Sequence, residues 1–241
     1  MNSSLIRIAV MTDVHGNLPA LKSALEVIQM NKCDYIFHTG DIIGIGPYTS
    51  ECLDLLLSIP NLRLTMGNHD ERFAFGTYHE LGKYFSKEQN EWVNGCLNDE
   101  HRTKLREIPF IIKENFLGTN IIFTHYPLDK VQNKFYPMEN KPSAEKLDEM
   151  FKDYDADLIF YGHSHTPSDI SGRARYINPG ALGCNKQPVA RLIILECNDR
   201  GYTIESHSVP YDNSALIEEF EIKNVPDKRF ILNAFFGQKS K

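Results

Sequence analysis

Residues 5–18 read Leu-Ile-Arg-Ile-Ala-Val-Met-Thr-Asp-Val-His-Gly-Asn-Leu, and their order decides the fold. Leu5–Met11 is a run of apolar and β-branched residues, which is strand-forming. It stops at the turn-forming segment from Thr12 to Asn17. Apolar residues then recur at Leu18, Leu21, Leu25 and Ile28, the spacing of one helical face. The unit of strand, loop and helix repeats at once: a strand over 34–38, a glycine-rich loop over 40–47, a helix over Thr49–Ser58 and a strand over 62–65. Such alternation requires parallel strands joined by crossover helices.

Further along, residues 70–106 are polar and read as helical, with the single tryptophan, Trp92. The composition then shifts to strands, expected at 110–114, 120–124, 158–161, Arg175–Asn178, 190–196 and 202–209. A helix over 143–154 separates the second of these from the third. A βαβ-like first half and a strand-rich second half predict two mixed sheets packed face to face with helices outside, a four-layer αββα sandwich. No repeat, low-complexity tract or Gly/Ser linker divides the chain, so residues 1–210 are expected to form one domain. Residues 211–241 read as a helical extension of it, with helices over 213–221 and 229–236. The amphipathic second segment either packs back on the core or makes a dimer contact.

The chain has 241 residues, a formal charge of −6 and nine histidines. An acidic balance excludes a protein whose surface is built to hold duplex nucleic acid, which needs basic residues. An anionic substrate would need positive charge from another source. Five cysteines, an odd number without a C-x-x-C pair, fit neither a disulfide framework nor a zinc ribbon, and read as reduced thiols. The apolar run at 5–11 is short and interrupted by Arg7, unlike a secretory core, and no stretch has the roughly 20 apolar residues of a membrane span. A cytoplasmic location is therefore expected, with no membrane partner.

The chemistry-bearing residues follow the predicted strands. Asp13 and His15 come after the first strand, Asp41 after the second, and Asn68, His69 and Asp70 after the third. His125 ends the strand at 120–124, and His163 and His165 follow the strand at 158–161. Loops at the C-terminal ends of parallel strands face a common crevice, where α/β sheets bind ligands. Neutral imidazoles, carboxylates and one amide oxygen form a mixed N/O donor set suited to Mn, Fe, Zn and similar ions. Seven candidate ligands are enough for two ions about 3.5–4 Å apart with one bridging carboxylate. Taken singly, each motif has an ordinary explanation: Gly-Asp is a common turn, and a lone His125 would be a hydrogen-bonded core histidine. Their joint occurrence at successive strand ends is what argues for a metal site.

Asp13-x-His15, Gly40-Asp41, Gly67-Asn68-His69-Asp70, His125 and Gly162-His163-x-His165 together resemble the calcineurin-like metallophosphoesterase superfamily. Asn178-Pro179-Gly180 resembles a turn of its small prokaryotic phosphodiesterase and diadenosine-tetraphosphatase-like branch. The resemblance covers residues 5 to about 210 and implies an αββα sandwich with a dinuclear site at the sheet edge. It implies Asp13, His15 and His165 as ligands of one ion, Asn68, His125 and His163 as ligands of the other, and Asp41 as the bridge. It further implies two divalent ions, Mn first, with Fe, Zn, Co, Ni or Mg as alternatives. In such enzymes a hydroxide between the metals attacks phosphorus, and the histidine equivalent to His69 protonates the leaving oxygen or steadies the phosphoryl group.

Residues after Asp41 read Ile-Ile-Gly-Ile-Gly-Pro, so the Asp-Arg-Gly of the protein Ser/Thr phosphatases is missing and a phosphoprotein substrate is disfavoured. The expected partner is a small phosphodiester, phosphomonoester or nucleoside polyphosphate. A nuclease acting on short single strands and a non-catalytic scaffold of the same fold are the competing readings. Asp70 is expected to orient His69 or to lie exposed. Tyr126 is either a stacking surface or packed on the insert at 126–142, whose Lys130, Lys134 and Lys141 are candidates for phosphate contact. Cys184 is expected to be structural, with an approach to the cleft as the alternative.

Overall fold

A computed structural model describes residues 4–81, 85–129 and 134–238. Two five-stranded mixed sheets make up most of it. In the first, β1 (Leu5–Met11), β2 (Tyr35–His38) and β3 (Leu62–Leu64) run parallel, with α1 (Leu18–Met30) and α2 (Thr49–Ser58) as crossovers. Next come α3 (Asn68–Phe75), a short 3₁₀ turn (Tyr78–Leu81), α4 (Lys87–Gly95) and α5 (Asp99–Arg106), which fill the polar stretch as expected.

The second sheet has the order β4-β5-β8-β10-β9, built from β4 (Ile111–Phe116), β5 (Thr119–Thr124), β8 (Leu158–Phe160), β9 (Ser168–Ser171) and β10 (Arg175–Asn178). Its β5, β8 and β10 are parallel, so each sheet carries three parallel strands. A two-residue hairpin of β6 (Leu128–Asp129) and β7 (Lys134–Phe135) and the helix α6 (Ala144–Met150) lie between β5 and β8. The last two strands, β11 (Val189–Asn198) and β12 (Gly201–Pro210), return to the first sheet, where β11 pairs antiparallel with β1. The chain ends in α7 (Ser214–Ile222) and α8 (Lys228–Phe236). No described helix is long and apolar enough to cross a membrane.

Alternation along β1 sets the layers. Ile8 and Val10 face the second sheet and pack with Phe37, Phe123, Phe160, Ile177 and Leu195, whereas Ala9 and Met11 face α1 and α2 through Leu21, Ala24, Leu53 and Leu56. On the far side of the second sheet, Ile122, Ile159 and Tyr176 pack against Leu147, Met150 and Phe151 of the α6 segment. The αββα expectation is met. α7 and α8 pack through Leu216, Phe220, Ile231 and Phe236 on Ile45, Phe85, Ala181 and Cys184, residues beside the sheet edge.

The two sheets meet through a column of rings: Phe37 stacks on Phe123 at 3.7 Å with planes 4° apart, and Phe123 on Phe160 at 5.5 Å and 9°. All three are fully buried. Phe123→Ala removes the middle ring and is expected to lower the unfolding free energy by about 3–5 kcal/mol. Urea denaturation followed by circular dichroism measures this, and a loss below about 1 kcal/mol would contradict the column's role in joining the sheets.

Candidate metal centre at the sheet edge

The parallel strands of both sheets end at one edge, and the loops leaving them are stitched together by main-chain hydrogen bonds. Asp13 N donates to Gly40 O (3.0 Å), His15 N to Asp41 O (3.1 Å) and Gly16 N to Ile42 O (3.1 Å), prolonging the contact of β1 with β2 beyond the sheet. Gly162 N donates to His125 O (2.8 Å) and Ala181 N to His165 O (3.1 Å) among the second sheet's loops, and Gly183 N donates to Asp13 O (3.0 Å), which ties them to the first sheet's. Five site residues hold left-handed backbone: Asp13 (φ 54°), His15 (45°), Asp41 (59°), His163 (72°) and His165 (58°). Such conformations are unfavourable for L side chains and persist where the surroundings enforce them, commonly at functional sites. Glycine is required beside them. Gly40 has φ 94°, and a Cβ there would lie 2.9 Å from His125 Nδ1; a Cβ on Gly67 would fall on the backbone N and carboxylate of Asp41.

All seven expected ligands meet in two adjoining groups. His15 Nε2 is 3.1 Å from His165 Nε2, 3.5 Å from Asp41 Oδ2 and 3.7 Å from Asp13 Oδ1, and His165 Nε2 is 3.4 Å from Asp13 Oδ1. His125 Nε2 is 3.0 Å from Asn68 Oδ1, 3.3 Å from His163 Nδ1 and 3.3 Å from Asp41 Oδ2. The same Asp41 oxygen thus belongs to both groups, while its Oδ1 accepts from the backbone N of His69 at 2.9 Å.

The hydrogen bonds fix which ring nitrogens face inward. His15 Nδ1 donates to Ile43 O (3.1 Å) and His125 Nδ1 to Thr39 O (2.8 Å), since a carbonyl can only accept. When neutral, both rings therefore present an Nε2 lone pair to the site. These lone pairs, an amide oxygen and carboxylate oxygens then converge, and Asp13 Oδ1, fully buried, has no hydrogen-bond partner. The separations match those between neighbouring ligands of one ion: bonds of about 2.1 Å place cis octahedral ligands about 3.0 Å apart and tetrahedral ligands about 3.4 Å apart. The residues present fit two borderline divalent cations.

Electrostatics point the same way. Burial opposes the ionised forms of Asp13 and Asp41, yet the surrounding imidazoles hold both carboxyls below the usual range. Burial would lower His125, but the Asp41 charge and hydrogen bond, with Asp13, push it up to about 9; His165 is raised in the same way by Asp13. Burial dominates at His15 and His163, which fall to about 3 and about 4. The carboxylates thus demand positive charge at the centre of the site.

Asp70 does not orient His69, as expected from sequence, nor does it lie exposed. Its carboxylate is fully buried and accepts from the backbone N atoms of Asp41 (2.8 Å), Ile42 (2.9 Å), Ile43 (3.0 Å) and Gly67 (3.1 Å). Asp70 fixes the loop that carries Asp41, and burial with the Asp41 charge pushes its carboxyl up to about 7 against those donors. Three further positioning residues escaped the sequence reading. Thr12 Oγ1 donates to Asp13 Oδ2 (2.8 Å), the Thr39 carbonyl holds His125, and Asn178 Nδ2 donates to Gly162 O (2.8 Å) and Ser164 Oγ (3.0 Å), bracing the loop of His163 and His165. For Asn178 the Asn-Pro-Gly turn was the available signal.

Tyr126 is fully buried, with its hydroxyl accepting from Glu139 N (2.9 Å) and its ring 4.8 Å from that of His163, so it packs on the insert and offers no stacking face. Cys184 is buried in the cluster beneath α7 and α8, yet its sulfur lies within 4.8 Å of ring nitrogens of His15 and His165. Burial, then Asp13 and Asp41, push its thiol well up. A cleft of about 680 Å³ opens over Asp41, Asn68, His163 and His165 and is lined further by His69, Arg72, Phe85, Lys134, Phe135, Phe230 and Phe235. Of the candidate phosphate-binding lysines, Lys134 lines this cleft, Lys141 does not, and Lys130 lies outside the described residues.

Residues 6–167 match the calcineurin-like phosphoesterase family. An uncharacterized protein of Methanocaldococcus jannaschii is 29% identical over 249 residues, covering 91% of this chain and 94% of that protein. The crystal structure of a hypothetical protein from Pyrococcus horikoshii superposes with a TM-score of 0.76 at 19% identity, covering 98% of this chain and 100% of that one. A metallophosphoesterase from Sphaerobacter thermophilus superposes with a TM-score of 0.73 at 24% identity, covering 95% and 99%. With a family match over well more than half its length, this chain belongs to the calcineurin-like phosphoesterases, metal-dependent hydrolases of phosphoester bonds.

Proposed function

We propose that this protein hydrolyses a small phosphodiester, phosphomonoester or nucleoside polyphosphate with two divalent cations. Asp13, His15 and His165 would hold one cation, Asn68, His125 and His163 the other, and Asp41 would bridge them. The observation that carries this reading is the single Asp41 oxygen, Oδ2, lying 3.5 Å from His15 Nε2 and 3.3 Å from His125 Nε2. Mn is the favoured ion, with Fe, Zn, Co, Ni or Mg also accommodated by the donor set. Such a pair supplies Lewis acidity and lowers the pKa of a water from 15.7 toward about 7. The five free cysteines fit a reducing compartment, and the cytoplasm is the location proposed.

The chain's own residues supply orientation and hydrogen bonds. Backbone carbonyls of Thr39 and Ile43 lock the rings of His125 and His15, so neither imidazole needs to reorganise. His69 lies beside the site, with its ring centroid 4.9 Å from that of His15. Burial, offset by Asp41 and reinforced by Arg72, drops His69 to about 4. At neutral pH it is therefore an uncharged N–H donor, and we assign it to steadying the phosphoryl oxygen in preference to delivering a proton from an imidazolium.

Three measurements test this reading. The Mn-loaded protein should cleave at least one of bis-p-nitrophenyl phosphate, p-nitrophenyl phosphate, diadenosine tetraphosphate and a cyclic nucleotide; failure of every substrate with Mn, Fe, Co and Ni would refute it. Asp41→Asn is expected to lose bound metal and turnover together, whereas His69→Asn keeps metal, measured by plasma emission, and slows turnover by about 10²- to 10⁴-fold. Full metal occupancy in an active Asp41→Asn protein would remove Asp41 from the bridge. His125 is raised to about 9, so a cation taking its lone pair at pH 7 must displace a proton. Calorimetry in buffers of different ionisation enthalpy should record release of about one proton from His125 on Mn binding. For His125 that release fades as the pH rises through about 9, where its proton is already lost.

A further inference from the structure

Resting on the hydrolase reading above, we propose that Phe85, Phe230 and Phe235 form a stacking wall for a nucleobase carried on the substrate's phosphate, so that the C-terminal helix α8 sets substrate specificity. All three rings line the cleft whose floor is Asp41, Asn68, His163 and His165. They form a preassembled corner. Phe85 and Phe235 lie 6.2 Å apart with planes 26° from parallel, and Phe230 stands edge-on to Phe85 (6.4 Å, 72°) and to Phe235 (6.3 Å, 89°). These are favoured aromatic geometries. The corner also touches the reacting end of the cleft, with Phe235 at 6.3 Å from the ring of His165 and Phe85 at 6.3 Å from that of His69.

Packing accounts for Phe85, buried in the cluster on which α7 and α8 sit, and for part of Phe235, but not for Phe230. α8 is anchored by Ile231 and Phe236, which are buried with Leu216, Phe220 and Val225. Phe230 is 52% exposed although it adjoins a residue that is fully buried. A large ring left half in water at the rim of a concave site is open to contact with a ligand that enters it. Arg72 lines the same cleft and has no carboxylate partner among the described residues, and Lys134 lines it too. Their charges suit a further phosphate or the charged backbone of a nucleotide. A phosphoryl group alone would engage the metal floor and leave most of the 680 Å³ without contact.

Equilibrium binding to the Mn-loaded protein tests the wall without requiring turnover, so failure of hydrolysis and failure of the wall are read separately. Adenosine 5′-monophosphate should bind more tightly than ribose 5-phosphate. Phe230→Ala and Phe235→Ala should each weaken the adenosine compound by about 5- to 150-fold, the loss of one base–aromatic stack, while leaving ribose 5-phosphate unchanged. Phe230→Trp should restore the preference, which a merely structural role would not. Phenyl phosphate is the third arm: a loss equal to that of the adenosine compound would identify a simple aryl ester as a sufficient source of the ring. An unchanged adenosine-to-ribose preference in both alanine variants would overturn the proposal. So would a Phe230→Ala protein that changes only its sedimentation from dimer to monomer, because the exposed ring would then belong to a subunit contact.

Discussion

Everything at the functional edge depends on burying the carboxylates of Asp13, Asp41 and Asp70 close together, a placement that repels itself unless it is compensated. The protein compensates them differently. Asp70 is met by four backbone N–H groups and becomes part of the scaffold. Asp13 and Asp41 face imidazoles, which can carry protons or yield lone pairs to a cation. By that division two carboxylates face the candidate metal centre and the third, adjacent to His69 in sequence, belongs to the loop.

Such a cluster can exist only because the two sheets aim at one point. Three parallel strands from each sheet end at the same edge, and the loops beyond them continue to exchange main-chain hydrogen bonds after the strands have stopped. The stacked rings of Phe37, Phe123 and Phe160 set the sheets' separation a short distance below the site. Strain in the left-handed residues Asp13, His15, Asp41, His163 and His165 is thereby imposed by a rigid frame, and the ligand atoms are held at coordination spacing.

Much of this was legible in the sequence because it is local. The β1 run, the helical spacing after Asn17 and the bounds of Thr49–Ser58 and Arg175–Asn178 follow from periodicity and turn residues, and the histidines announce themselves by falling just past strands. What was not legible is pairwise or distant. β9, with the polar sequence Ser-Asp-Ile-Ser, is a strand only because it lines up against β10. β11 and β12 follow the second sheet in sequence but pair with the first, where Leu195 and Ile193 lie directly beside Ile8 and Val10 and extend that sheet's inner apolar face. Asp70 looked like a partner for the imidazole beside it, and helical geometry at the start of α3 instead turns its carboxylate onto the backbone of the β2 loop. Tyr126 offered itself as a stacking ring by position and is buried by the insert, whereas Phe85, Phe230 and Phe235 meet across about 150 residues with no local mark of their association.

The acidic balance of the chain acquires a physical sense from the site. The two divalent cations proposed would bring about +4 to the roughly −2 of Asp13 and Asp41, leaving a centre near +2 inside a protein of net −6. A substrate phosphate would then be attracted over a short range and at one place, while a net negative chain disfavours extended polyanions such as duplex nucleic acid. Selectivity among small phosphoesters cannot come from that charge, because every one of them presents it with the same group. It has to come from what surrounds the phosphate, and at this edge the surroundings are unequal: charged groups at Arg72 and Lys134, and a corner of three phenylalanines supplied largely by the last helix. On the proposed reading, the metal floor would fix the reaction, and the C-terminal segment could vary the substrate without disturbing it.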